Sequence, residues 1–85
     1  MSTRVAVISI IIENMDSVER VNQLLHQSSR YILGRMGIPY REKGVSIISV
    51  AMDAPQDEIS ALSGSIGRLP GVSAKTAYSG VITEQ

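Results

Sequence analysis

The residues of this chain best equipped for chemistry are crowded into one stretch, Gly34-Arg35-Met36-Gly37-Ile38-Pro39-Tyr40-Arg41-Glu42-Lys43-Gly44, which holds three of the seven glycines. A guanidinium is a planar fork of donors that grips a carboxylate or phosphate with two hydrogen bonds. A tyrosine hydroxyl both donates and accepts, and a glycine lets a ligand come close to the backbone. Arg35, Gly37, Tyr40, Arg41 and Glu42 are therefore the candidate ligand-binding residues, suited to a small anion or another effector. The competing reading is a solvated hairpin tip whose Arg–Glu pairs contribute little. In neither case do these residues compose a nucleophile or an acid–base pair.

Other polar residues carry less. His26 falls on the polar side of a predicted helix beside Glu19, Asn22 and Gln23, and a lone surface histidine lacks the companions a metal needs. Asp53, Asp57 and Glu58 gather where a second helix starts, where capping and the helix dipole account for them. No cysteine is present, which removes disulfides, thiolate metal sites and a cysteine nucleophile. No catalytic residue, metal ligand or cofactor is assigned.

The elements that must position the Gly34–Gly44 stretch follow from hydropathy. Residues 5–12, Val-Ala-Val-Ile-Ser-Ile-Ile-Ile, are apolar at odd and even positions alike, the pattern of a strand buried on both faces. Asp16 and Glu19 have capping-box spacing for a helix over residues 17–28, whose stripe is Val18, Val21, Leu24 and Leu25. Residues 31–36, interrupted by Gly34, read as a short edge strand, and residues 37–44 as the loop after it. Residues 45–52 form a second central strand. Asp53 is the expected cap of a helix carrying Ile59, Leu62, Ile66 and Leu69, with Pro55, Asp57 and Glu58 in its first turn and Gly67 as its terminator. Ser60, Ala61, Ser63, Gly64 and Ser65 give that helix a face of small side chains. A turn at Leu69-Pro70-Gly71 leads into a strand over residues 72–78, and residues 79–85 read as a frayed tail or a short added strand.

The order β-α-β-β-α-β predicts an α+β, ferredoxin-like sandwich, a four-stranded antiparallel sheet with two helices on one face, filling the chain as a single domain over residues 1–85. Both central strands carry apolar residues on the uncovered face, so a second copy is expected to cover it, as a dimer or tetramer. A chain of 85 residues buries only about 60 to 65% of its unfolded surface, so association helps it. The 44% hydrophobic content includes no Phe or Trp, which leaves few stacking platforms for nucleic acid. Eight basic residues balance eight acidic ones, and no apolar run reaches the about 18 residues of a membrane span. Direct nucleic-acid and membrane partners are not expected, and a soluble, cytoplasmic protein is.

Residues 5–14, the Gly34–Gly44 block, Ser46-Ile47-Ile48-Ser49 and Gly67-Arg68-Leu69-Pro70-Gly71-Val72 together resemble the small regulators of the iron-only hydrogenase system. The resemblance spans residues 4 to 78, and the hairpin block is its most specific part. That family is similar to ACT domains and to the C-terminal domain of the nickel-responsive repressor, which associate through their sheets and often bind small ligands at the interface. The resemblance implies a regulatory role. The repressor's nickel site needs several histidines and a cysteine, and this chain has one His and no Cys. The glycine that ACT domains use after the first strand is replaced by Glu13-Asn14-Met15-Asp16, whose two negative charges repel a carboxylate. The repressor's DNA-binding domain has no counterpart ahead of Arg4, so control of transcription would act through a partner protein. The leading expectation is an oligomeric regulatory module that binds a small effector or docks a partner, and not an enzyme. The alternative is a small enzyme of the same fold acting on a phosphate or acyl ester, which would need a glycine-rich phosphate cradle in that same loop.

Overall fold

The computed structural model describes residues 2–84. Its regular elements are β1 (Ser2–Ile12), α1 (Val18–Gln27), β2 (Ile32–Tyr40), β3 (Val45–Ala54), α2 (Gln56–Gly67) and β4 (Val72–Glu84), with single 3-10 turns at Met15–Ser17, Ser29–Tyr31 and Arg41–Lys43. The four strands form one sheet in the order β2-β3-β1-β4, antiparallel throughout. This is the expected ferredoxin-like α+β sandwich.

Strand parity places the core. On β1 the even residues Ala6, Ile8, Ile10 and Ile12 are buried, and on β3 so are Ile48, Val50, Met52 and Ala54. They meet Val21 and Leu25 of α1 and Ile59, Leu62 and Ile66 of α2 in one cluster, so both helices cover the same face. Each buried aliphatic side chain contributes about 1.5–3 kcal/mol of transfer free energy. The odd residues point to a face on which the described residues place no helix. There Ser9 and Ile11 are exposed, whereas a strand buried on both faces was expected. Within one chain the central strands are buried on one side only.

Two connections are stitched together at one end of the sheet. Asn14 Oδ1 accepts from the Asp16 backbone N–H at 3.0 Å, which starts the turn before α1. Asn14, rather than the expected Asp16, makes the cap. Ser17 donates its hydroxyl to the Pro70 carbonyl at 2.7 Å, and the Glu13 N–H donates to the Gly71 carbonyl at 2.7 Å. Gly71 has φ of +66°, and a Cβ there would lie 2.5 Å from the Asn14 Cβ. Both backbone conformation and the close approach of the two loops therefore require glycine at this turn.

Several boundaries differ from the sequence expectation: β1 starts at Ser2 rather than at residue 5, and α2 ends at Gly67, which leaves Leu69 of the expected stripe in the turn beyond it. β2 does not stop at Met36. It continues through Gly37, Ile38 and Pro39 to Tyr40, because Ile38 pairs with Ile47 and Tyr40 with Val45, and because Pro39 sits on an edge strand. The loop shrinks to Arg41–Lys43, closed by Gly44 at φ of +65°. Asp53 is not a helix cap: it pairs with Val5 inside β3, and Pro55 takes the position before α2 with φ of −57°. β4 continues beyond Tyr78 to pair with Ser2–Arg4 after a bulge opposite β1. Arg4 fastens this extension by donating to the Ser79 carbonyl at 3.1 Å and to Gln56 Oε1 at 2.8 Å, with its guanidinium 4.7 Å from the Tyr78 ring centroid. Of the expected tail, Gln85 lies outside the described residues.

Gly71→Ala is expected to cost about 1–3 kcal/mol of stability through backbone strain alone, whereas Gly34→Ala, which meets nothing within 4 Å and has no positive φ, should be close to neutral. Urea denaturation midpoints of the two variants measure the contrast. Ser17→Ala should cost about 1–3 kcal/mol, because it leaves the Pro70 carbonyl without its hydroxyl donor.

Candidate functional site

β2 is an edge strand, bonded to β3 on one side, and eight of its nine residues are exposed. Because successive side chains alternate, continuity through Tyr40 sorts the candidate residues by face. Arg35 lies opposite Val50 and Gly37 opposite Ile48, on the face that α1 packs against. Gly34, Met36, Ile38 and Tyr40 lie opposite Ala51, Ser49, Ile47 and Val45, on the open face. Arg41 and Glu42 belong to the turn beyond the strand.

The five residues singled out by composition thus separate into two places, Arg35 and Gly37 in one and Tyr40, Arg41 and Glu42 in the other. Arg35 and Gly37 share a groove of about 250 Å³ between α1 and β2, lined also by Val18, Asn22, Ser46 and Ile48. There Arg35 Nη2 donates to Asn22 Oδ1 at 2.7 Å, which fixes the guanidinium against α1. Tyr40 donates its hydroxyl to Glu42 Oε2 at 3.2 Å, a local pair within the hairpin. Tyr40 and Arg41 together line an apolar cleft of about 340 Å³ with Met15, Pro39, Gly44 and Val45, where the hairpin approaches the start of α1.

Asn22 and Ser46 are groove residues that sequence reasoning passed over as ligand contacts. Asn22 stands one turn after Val18 on α1, and Ser46 pairs with both Pro39 and Ile12, which puts it on the helix-covered side. Their signal in the sequence is visible only once β2 is read as continuous to Tyr40, since that reading alone fixes the register with β3.

The open face has a different character. Ile11 is 45% exposed, Met36 59%, Ile38 48%, Tyr40 42% and Ile47 39%, and they are neighbours on β1, β3 and β2. Beside them Gly34, Arg35, Met36, Ser49 and Ala51 outline a hollow of about 310 Å³. Toward β4 the same face turns polar through Ser9, Ser73 and Lys75. At its far end Asp53 Oδ1 and Thr3 Oγ1 are buried without a hydrogen-bond partner among the described residues, a costly state for polar atoms.

The remaining candidates resolve into structural roles. His26 is exposed on α1, in a shallow depression with Glu19, Asn22, Gln23 and Gln27. Among the described residues no group of three or more His, Asp or Glu side chains could hold a metal ion. Asp57 and Glu58 occupy the first turn of α2, and Asp57 Oδ1 accepts from the Glu58 N–H at 3.1 Å. Of the small residues of α2, Ser63 accepts from the Thr76 hydroxyl of β4 at 3.1 Å, which holds this helix close to its own sheet. Among the described residues no helix is long and apolar enough to cross a membrane.

The chain is similar in structure to the uncharacterized protein TM1266 from Thermotoga maritima, at a TM-score of 0.86 and 36% identity, over 89% of this chain and 96% of that one. A formyltetrahydrofolate deformylase from Pseudomonas putida KT2440 shares the fold at a TM-score of 0.63 and 15% identity; the match covers 86% of this chain and 28% of that enzyme. No curated protein matches. A family model described as "TM1266-like: Iron-only hydrogenase system regulator, putative" matches residues 4–76, which take in the whole of β1, α1, β2, β3 and α2 apart from Ser2 and Thr3, together with the Asn14–Gly71 junction and the start of β4. With the hairpin, the groove beneath it and the apolar face above it all inside that match, the chain belongs to the TM1266-like family of regulators.

Proposed function

We propose that this protein is a homo-oligomeric regulatory module, not an enzyme, which joins copies of itself through the open sheet face and binds a small effector or docks a partner protein in the service of an iron-only hydrogenase system. The observation that carries the assembly is the open face itself. Five large apolar side chains, Ile11, Met36, Ile38, Tyr40 and Ile47, stand together there, and soluble proteins seldom leave such a patch bare.

A second copy of the chain fits that face in size and charge. Four strands at about 4.8 Å spacing and nine residues at about 3.3 Å rise give a surface near 19 by 30 Å. With side-chain relief that supplies the about 800 Å² per partner of a standard interface. Asp53 and Lys75, which lie on this face, carry opposite charges, so two copies meet no net like charge. The hollow beside Gly34 and Ala51 offers room for a partner's side chain. Whether two or four copies assemble is set by the surfaces around this face.

Regulation on this plan is a shift between arrangements of the subunits. An effector or partner that contacts one arrangement better than another moves the population by its differential affinity and by no more. The β1–α1 connection, Glu13-Asn14-Met15-Asp16, is the place where an enzyme of this fold acting on phosphate esters would need a cradle, and it has two carboxylates and no glycine.

Native mass spectrometry across a concentration series should show the wild-type protein as a dimer or tetramer. Ile47→Asp, which sets an unpaired charge in the middle of the face, should weaken association by more than about tenfold and leave the far-ultraviolet circular dichroism unchanged. A wild-type protein that stays monomeric throughout would overturn the assembly.

A further inference from the structure

We propose that the groove between α1 and β2 binds a small aliphatic monocarboxylate, its carboxylate held by Arg35 and the Ser46 hydroxyl and its tail laid over Val18, Gly37 and Ile48. The proposal builds on the effector reading above and gives that effector a chemical class and a place.

Arg35 is the first ground. Its guanidinium is aimed by Asn22 Oδ1, and the partner is a neutral amide, so the positive charge is oriented without being compensated. A guanidinium fixed in this way retains further N–H donors for a carboxylate at little additional ordering cost. Charge-assisted bonds of this type are about twice as strong as neutral ones.

Gly37 is the second and independent ground. It lies inside a strand, where glycine is disfavoured. Only Gly44 and Gly71 have positive φ, so the backbone at 37 does not demand glycine, and a Cβ there would meet nothing within 4 Å. Neither conformation nor packing within the chain accounts for the residue. What its missing side chain does provide is room above the groove floor, where Ile48 is 6% exposed and Val18 is partly buried. A glycine in a strand often marks such a close approach by a ligand.

The groove's composition narrows the class. Its one cation against apolar walls balances a single negative charge, whereas a phosphate dianion calls for more donors than Arg35 and Ser46 supply. An α-amino acid would bring an ammonium group, and the residues lining the groove include no carboxylate to balance it. The volume of about 250 Å³ lies below the range for drug-sized ligands, which points to a short chain. Arg35 and Gly37 face α1, while Ile38 and Ile47 of the open face border the same groove, so assembly through that face brings a second copy to one rim of the groove.

The test is a titration of the full-length, isotopically labelled protein with sodium 3-methylbutanoate at constant ionic strength, read by amide and Arg Nε–H chemical shifts, with inorganic phosphate and L-leucine in parallel. Saturable shifts are expected at Asn22, Arg35, Gly37 and Ser46. Arg35→Gln should weaken binding by about tenfold or more, and Gly37→Val, which fills the groove without backbone strain, should abolish it while circular dichroism and melting temperature hold. Arg20→Gln, which removes a different exposed cation from α1, should leave binding unchanged. Absent shifts, shifts away from the groove, indifference to Arg35→Gln and Gly37→Val, or tighter binding of phosphate or leucine would each overturn the proposal. Native mass recorded on the same samples separates the two readings, since an intact oligomer that ignores 3-methylbutanoate removes the groove ligand and keeps the assembly.

Discussion

A four-stranded sheet has two faces, and this chain has helices for one of them. Everything else in the structure is a response to that shortage. β1 lies between β3 and β4, and its even residues Ile8, Ile10 and Ile12 are fully buried under Val21 and Leu25 of α1 and Ile59 and Ile66 of α2. Three of its odd residues, Val5, Val7 and Ile11, are apolar as well, with Ser9 between them, and they face a side to which the described residues contribute no helix. The hydrophobic driving force that closes the core is therefore spent on one side and left unsatisfied on the other.

The second organising feature is the junction where the two crossover connections meet. Glu13, Asn14 and Ser17 of the first contact Pro70 and Gly71 of the second through two hydrogen bonds and a close backbone approach. That contact pins the starts of α1 and β4 to the same end of the sheet. The hairpin between β2 and β3 rises from this end too, and Met15 of the junction lines the cleft into which Arg41 points its side of the turn. Among the described residues β2 has no comparable anchor on its outer side: its backbone is bonded to β3, with the Arg35–Asn22 bridge as a tie to α1.

Much of this was legible in the sequence, and the parts that were not have physical causes. The central strands and both helical stripes were readable because their periodicities are strong, with Val18, Val21, Leu24 and Leu25 on α1 and Ile59, Leu62 and Ile66 on α2. β2 was not readable to its end. Gly34, Gly37 and Pro39 are local punctuation that normally signals a turn, and an edge strand tolerates all three because it has no second partner whose ladder they would interrupt. That single error hid the geometry of the site, since the face to which Arg35 or Tyr40 belongs is defined only when the strand between them is unbroken. Asp53 was misread for a similar reason. An Asp shortly before a Pro and an acidic pair has the local chemistry of a cap, and only pairing with Val5 across the sheet keeps it in β3.

The alternation along β2 has one more consequence. Arg35 and Gly37 stand on one side of a single layer of backbone, and Met36, Ile38 and Tyr40 stand on the other. The wall of the groove and part of the open face are thus the same strand seen from opposite sides, only a peptide's thickness apart. A roll of β2 about its own axis turns both surfaces together, and an edge strand resists such a roll with one ladder of hydrogen bonds instead of two. The lever that would connect the two surfaces is nine residues long, and it requires no messenger through the core.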